Sequence, residues 1–330
     1  MDNYWIFEDS IIFKPEFNQP LYDYIDDIKN YKKLIFSDYD DLEIYIRKNN
    51  KFDKQFTQSN FNKQFTQSNF NKPLANSLSN LTNLTHLTFG CDFNQTLSNS
   101  LSNLTNLTHL TFGYYFNQHL ANSLSDLINL TNLTFGCWFD QPLMYFLSNL
   151  KKLTSLTFGH YFNHPLGNSL SNLKNLTNLT FGFGFNQPLN NSLSNLTNLT
   201  HLTFGYMFNQ PLENSLSNLI NLTNLGLGYK FNQPFELPSN IKILLIDCNN
   251  LFLVENLPNS VEELYLDQFF NLELNNLPNS IKKIKFNTSS KYDKELNNLP
   301  KFLELLELPI CYLIPINNIN SICKITYSDH

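Results

Sequence analysis

What is scarce in this sequence narrows it first. Only 15% of the 330 residues are charged, and 22 basic side chains face 28 acidic ones, for a formal charge of −6. The balance is −3 over residues 1–69 (9 basic, 12 acidic), +1 over 70–230 (5 basic, 4 acidic) and −4 over 231–330 (8 basic, 12 acidic). No segment is basic enough to track a phosphate backbone, so nucleic acid is not an expected partner. No apolar run approaches the ~18 residues that span a bilayer, and no basic start with a following apolar stretch marks a leader. The expectation is an intracellular, cytoplasmic protein with no membrane contact.

Cysteine is also sparse. The five residues Cys91, Cys137, Cys248, Cys311 and Cys323 form an odd, scattered set without paired zinc-type spacing. No glycine-rich phosphate loop and no nucleophile–base–acid grouping appears, and Asp92, Asp126, Asp140 and Glu213 fall at unrelated positions. The sequence therefore predicts no enzyme, no cofactor and no metal. Free thiols fit a reducing compartment.

What the chain does have is one phrase written repeatedly. Phe70, Phe93, Phe116, Phe139, Phe162, Phe185 and Phe208 open seven copies spaced by 23 residues, and Phe231 begins an eighth that diverges. The consensus is F-N-Q-P-L-x-N-S-L-S-N-L-T-N-L-T-x-L-T-F-G-x-x, with slots numbered one to twenty-three. Slots one, five, nine, twelve, fifteen, eighteen and twenty are apolar. A unit of this size cannot bury its own apolar face, so copies must stack into a solenoid. The alternation at slots eighteen and twenty, beside threonine, reads as a short strand. Slots nine, twelve and fifteen, three apart, suit a 3₁₀ or short helical return arm. Glycine at slot twenty-one, as in Gly90 and Gly113, is expected where a turn needs an unusual backbone angle. Strands one period apart lie parallel.

A worn copy spans Phe17 to Phe36, with Ile25, Ile28, Tyr31 and Leu34 on apolar slots. Residues 1–16 are expected to form an N-terminal cap. Residues 17–69 read as this degenerate repeat plus an irregular insertion, in which Gln55–Lys63 recurs as Gln64–Lys72. Residues 70–230 hold the seven full repeats. Over 231–330 the unit shortens: Leu237-Pro238, Leu257-Pro258, Leu277-Pro278 and Leu299-Pro300 are each followed by an L-x-L-like triplet, and the tail through Ile325 and Tyr327 is expected to be the last turn and a C-terminal cap.

The F-N-Q-P-L opening with a following L-x-x-L-x-F-G resembles the FNIP repeat, a leucine-rich-repeat relative of social amoebae and of the giant viruses that infect them. That resemblance implies an α/β fold: a right-handed horseshoe with a parallel sheet on its concave face and 3₁₀, helical or extended return arms. It also implies protein binding, within a host cytoplasm if the chain is viral. The family's F-box, which would make a ubiquitin-ligase adaptor, has no room in the sixteen residues before Phe17. An adaptor role would need that box supplied elsewhere. Asp140 departs from the motif asparagine, and Thr96 and His119 from its proline.

Slots seventeen and nineteen alternate with the core positions and so face away from it. Slot nineteen is threonine in six copies, while slot seventeen varies through His86, His109 and His201 among Asn and Ser. Slots twenty-two and twenty-three vary toward aromatics: Tyr114, Tyr115, Trp138, His160, Tyr161, Phe183, Tyr206 and Met207. An aromatic rim beside a polar Thr/His/Asn face is the candidate surface for an unknown protein partner. The other reading is an expanded structural repeat with no dedicated partner. His86 and His109 on adjacent rungs, without a carboxylate or thiolate aimed between them, make a poor metal site. Asparagine at slot two is expected to bond loop backbone. Asparagine elsewhere, including the N-x-T positions Asn80, Asn83, Asn103, Asn106, Asn195 and Asn198, is assigned no structural role.

Overall fold

The computed structural model describes residues 3–36, 68–143, 145–212, 215–316 and 321–328. The chain divides into two compact units, Met1–Phe162 and Asn163–His330. Each is a parallel β-solenoid with little helix.

In the first unit, β1 (Tyr4–Phe7) and β2 (Ser10–Phe13) make an antiparallel hairpin, and β2 runs parallel to β3 (Lys33–Phe36). Then follow β4 (His86–Thr88), β5 (His109–Thr111), β6 (Asn132–Thr134) and β7 (Ser155–Thr157), each parallel to the one before. Partners from β4 onward are 23 residues apart, His86 with His109 and Leu110 with Leu133. The worn copy joins in the same register: Lys33 pairs with His86, an offset of 53 and so 30 residues beyond one period. The irregular insertion expected over 38–69 lies outside the described residues except for Ser68 and Asn69.

The core repeats with that period. All seven apolar slots are buried, as Phe70, Leu74, Leu78, Leu81, Leu84, Leu87 and Phe89 show at 0–2% exposure. Slots one and twenty build two phenylalanine columns. Phe89, Phe112, Phe135 and Phe158 stack at 5.6–5.8 Å, and each meets the slot-one ring of the next copy at 4.1–4.3 Å. The column also takes in the worn copy, Phe36 stacking on Phe89 at 6.1 Å across an offset of 53 residues, so the rings fix where each coil returns and not how long it is. The return arms step by successive i→i+3 bonds, with Leu81 N–H donating to Leu78 O at 3.0 Å and Leu84 N–H to Leu81 O at 2.9 Å. That geometry accounts for the three-residue spacing without forming helices. Among the described residues, helix is confined to a 3₁₀ turn at Leu21–Tyr24, α1 (Ile25–Ile28) and α2 (Leu251–Glu255).

The second unit runs through β8 (Asn178–Thr180), β9 (His201–Thr203), β10 (Asn224–Leu227), β11 (Ile243–Ile246), β12 (Glu263–Leu266), β13 (Lys283–Phe286), β14 (Leu305–Pro309) and β15 (Lys324–Ser328), all parallel. Each L-x-L-like triplet of the shortened repeats is one of these strands. On the last rung Ile322 and Tyr327 are exposed.

The glycine expectation needs correcting. Slot-twenty-one glycines do not adopt positive φ; they are packed against the rung before them. A Cβ on Gly113 would sit 1.7 Å from Gly90 O, and one on Gly136 the same distance from Gly113 O. The left-handed position is slot six: Ala75, Ser98, Ala121 and Asn190 have φ of 40–47°, and Gly167 has φ 50°. Only one of these five is glycine, so residue type concealed the turn.

The asparagines carry more than slot two suggested. At slot two the expected ladder is present: Asn71 Oδ1 accepts from Asn94 N–H at 3.0 Å and from Gln95 Nε2 at 2.9 Å, and Asn94 does the same for Asn117 and Gln118. Asparagines at slots eleven and fourteen also have a structural role. Asn103 Nδ2 donates to Ser79 O at 3.1 Å and Asn106 Nδ2 to Thr82 O at 2.8 Å, with the same bonds recurring at Asn195 and Asn198. They satisfy arm carbonyls that no strand reaches.

Candidate functional site

The strand residues facing away from the core are half-buried and polar in the first unit. His86 and His109 stack face to face at 4.1 Å, with Thr85 Oγ1 2.8 Å from His86 Nδ1 and Thr108 Oγ1 2.9 Å from His109 Nδ1. Burial, then the neighbouring His109 and Lys33, pushes His86 down to about 4. His109 is lowered by burial and by Lys33. Two neutral rings in contact are thus the stable state near neutral pH. Among the described residues no cluster of His, Cys, Asp and Glu could hold a metal.

At the rim of the same unit the aromatic residues of slots twenty-two and twenty-three are brought together. Tyr115 meets Trp138 at 6.1 Å, and Trp138 meets Tyr161 at 4.8 Å; their exposures are 40%, 43% and 50%. Tyr114 stands edge-on to Tyr115 at 4.9 Å, and His160 edge-on to Tyr161 at 6.4 Å. Tyr114 hydrogen-bonds the Cys137 side chain, which with burial raises its phenol. Burial also lowers His160. The backbone fixes the stripe: Trp138 N–H donates to Tyr114 O at 2.9 Å and Tyr161 N–H to Cys137 O at 3.0 Å, so successive rings are one rung apart.

The second unit has an aromatic line of its own, at slot twenty-two. Phe183 stacks on Tyr206 at 4.6 Å, and Tyr206 on Tyr229 at 4.8 Å, with Met207 40% exposed beside them. The line continues through Phe269, edge-on to Tyr229 at 4.9 Å. Phe269 was hidden from a 23-residue reading because the period has already shortened there. His201 holds Thr200 Oγ1 at 2.8 Å, and burial lowers its pKa.

In the second unit the polar Thr/His/Asn face is carried by β8 and β9 and then ends. After Thr203 the slot-nineteen column becomes Gly226, Leu245, Tyr265 and Lys285, paired in that order. Lys283 Nζ bonds both Glu263 at 3.0 Å and the Tyr265 hydroxyl at 2.8 Å, and Lys285 pairs with Glu307 at 2.5 Å. This charged end is internally neutralised. No helix among the described residues is long and apolar enough to cross a membrane.

Residues 231–269 match the FNIP Repeat family model, a match that opens on Phe231-Asn232-Gln233-Pro234. No curated protein is significantly similar in sequence. Among solved structures, the chain resembles the Listeria monocytogenes internalin InlF at 19% identity and a TM-score of 0.47, covering 77% of this chain and 70% of that one. It also resembles CroV588, a circular leucine-rich-repeat protein, at 24% identity and a TM-score of 0.35, covering 99% and 70%. The receptor TLR13, solved with a single-stranded RNA, matches at 18% identity and a TM-score of 0.48, covering 76% and 43%.

Proposed function

We propose that the chain is a non-enzymatic scaffold that binds a protein partner through its aromatic rim. The observation that carries this reading is the exposed Tyr115–Trp138–Tyr161 stripe. Three large rings are held one rung apart by backbone bonds, and none is needed for the core. Rigid Tyr and Trp side chains give much contact area for little lost rotamer freedom, and they dominate binding energy at interfaces. The half-buried face with His86 and His109 supplies neutral hydrogen-bonding groups beside the stripe. Uncompensated charge is scarce there, which favours a partner recognised by shape and aromatic packing.

The test is affinity capture from host cells with the full chain, compared with a Tyr115→Ser, Trp138→Ser, Tyr161→Ser variant. A reproducible partner that the variant loses supports the reading. A chain that captures nothing above background supports an expanded structural repeat instead.

A further inference from the structure

We propose that a depression at the asparagine end of the first unit binds a neutral saccharide, stacked by its C–H face on Tyr115 and held at its hydroxyls by Asp92, Asn71 and Asn94. This goes beyond the protein-binding reading. It concerns a ligand of another class at an adjoining place, and the two share Tyr115.

The site is a shallow depression, largely open to solvent, of about 650 Å³, lined among the described residues by Asn18, Asn69, Asn71, Asp92, Asn94 and Tyr115. Its walls follow from the slot-two ladder. Asn18, Asn71 and Asn94 each spend Oδ1 on the backbone N–H of the next coil, at 3.1, 3.0 and 2.9 Å. The ladder therefore fixes each carboxamide by its oxygen, and among the described residues its Nδ2 has no acceptor. Asp92 is held by its backbone N–H to Ser68 O at 3.2 Å, while among the described residues no donor meets its carboxylate. Burial without a donor raises its pKa, the mark of a carboxylate in want of partners.

Among the described residues the lining has amide donors, one carboxylate acceptor, one aromatic plane and no basic residue. The absence of a cation in that lining disfavours phosphates, sulfates and carboxylates. A flat heterocycle without N–H, such as caffeine, has acceptors for the amides but no hydrogen to donate to Asp92. A sugar ring fits both demands. Its hydroxyls accept from Nδ2 and donate to Asp92, and its apolar C–H face covers the exposed Tyr115 ring.

The test is calorimetry and saturation-transfer NMR on the full chain with maltotriose, cellotriose and triacetylchitotriose, and with caffeine as a ring lacking hydroxyls. At least one trisaccharide should bind with Kd on the order of 1 mM, weakened roughly tenfold or more by Tyr115→Ala and by Asp92→Ala. Asn69→Trp, an exposed substitution that fills the depression without touching a rung, should abolish binding with an unchanged circular dichroism spectrum. Tyr161→Ser should leave it intact while weakening protein capture, which separates the two readings. Failure of all three sugars, equal binding of caffeine, or binding indifferent to Tyr115→Ala and Asn69→Trp overturns the proposal.

Discussion

Gly136→Ala should be among the most damaging single-methyl changes in the chain. A Cβ there would lie 1.7 Å from Gly113 O, 2.7 Å from Gly113 C and 3.3 Å from Tyr114 O, all backbone atoms. Reaching even 3.0 Å means opening the gap between two rungs by 1.3 Å. The Trp138 N–H to Tyr114 O bond spans the same gap at 2.9 Å and would stretch to about 4.2 Å, past any useful hydrogen bond. Neighbouring ladder bonds and the 5.8 Å Phe112–Phe135 stack would loosen with it. Each unmade buried bond costs about 1–3 kcal/mol, so the expected loss is about 3–5 kcal/mol. An unconstrained Gly→Ala change instead gains about 0.4–1 kcal/mol through the unfolded state. Urea unfolding followed by far-UV circular dichroism and by tryptophan fluorescence reads this directly, since Trp5 and Trp138 both belong to the first unit. The midpoint should fall by about 1 M or more. A loss under about 1 kcal/mol, or a gain, would refute the claim that space selects slot-twenty-one glycine.

The turn at slot six gives the opposite sign. Ala121→Gly, at φ 40°, should stabilise by up to about 1 kcal/mol because the left-handed strain of about 1–2 kcal/mol exceeds the entropy cost of glycine. Gly167→Ala, at φ 50° with open space around its Cβ, should destabilise by about 1 kcal/mol from backbone strain alone. Denaturation midpoints of the pair check both signs. Asn94→Ala removes the acceptor for Asn117 N–H and Gln118 Nε2 and should cost about 1–3 kcal/mol, with faster hydrogen exchange confined to that arm. For His86 the folded pKa of about 4 lies below the unfolded 6.5, so the unfolded state takes the proton first. Its contribution is full above pH 6.5, declines between 6.5 and about 4, and then levels off; screening of a half-buried ring reduces it to about 1–2 kcal/mol. Lys33 and His109, facing it from adjacent strands, oppose its proton and Asp9 favours it; His86→Asn should flatten that part of the stability–pH curve.

The repeat made the core legible. Phe70, Leu87 and Phe89 and their equivalents are apolar in every coil because one interior selects them. The worn copy from Phe17 to Phe36 could be recognised by the same slots after its polar residues had diverged. The rim was legible as variation: Tyr115, Trp138 and Tyr161 occupy slots that the fold leaves free. Phe269 escaped because its coil has a different length, and the asparagines of slots eleven and fourteen escaped because abundance alone does not distinguish a bonded carboxamide from a tolerated one.

Sequence alone determined the 23-residue period, the parallel sheet and the identity of the buried side chains. These follow from local alternation and from the inability of one unit to bury its own apolar face. Tertiary structure decided what depends on the separation between coils: that glycine at slot twenty-one makes room for a neighbour's carbonyl, that slot six takes the left-handed turn, and that Asn71, Asn94, Asp92 and Tyr115 line one depression. Contacts of this kind join residues a full period apart, so they exist only once the rungs are stacked at their working distance.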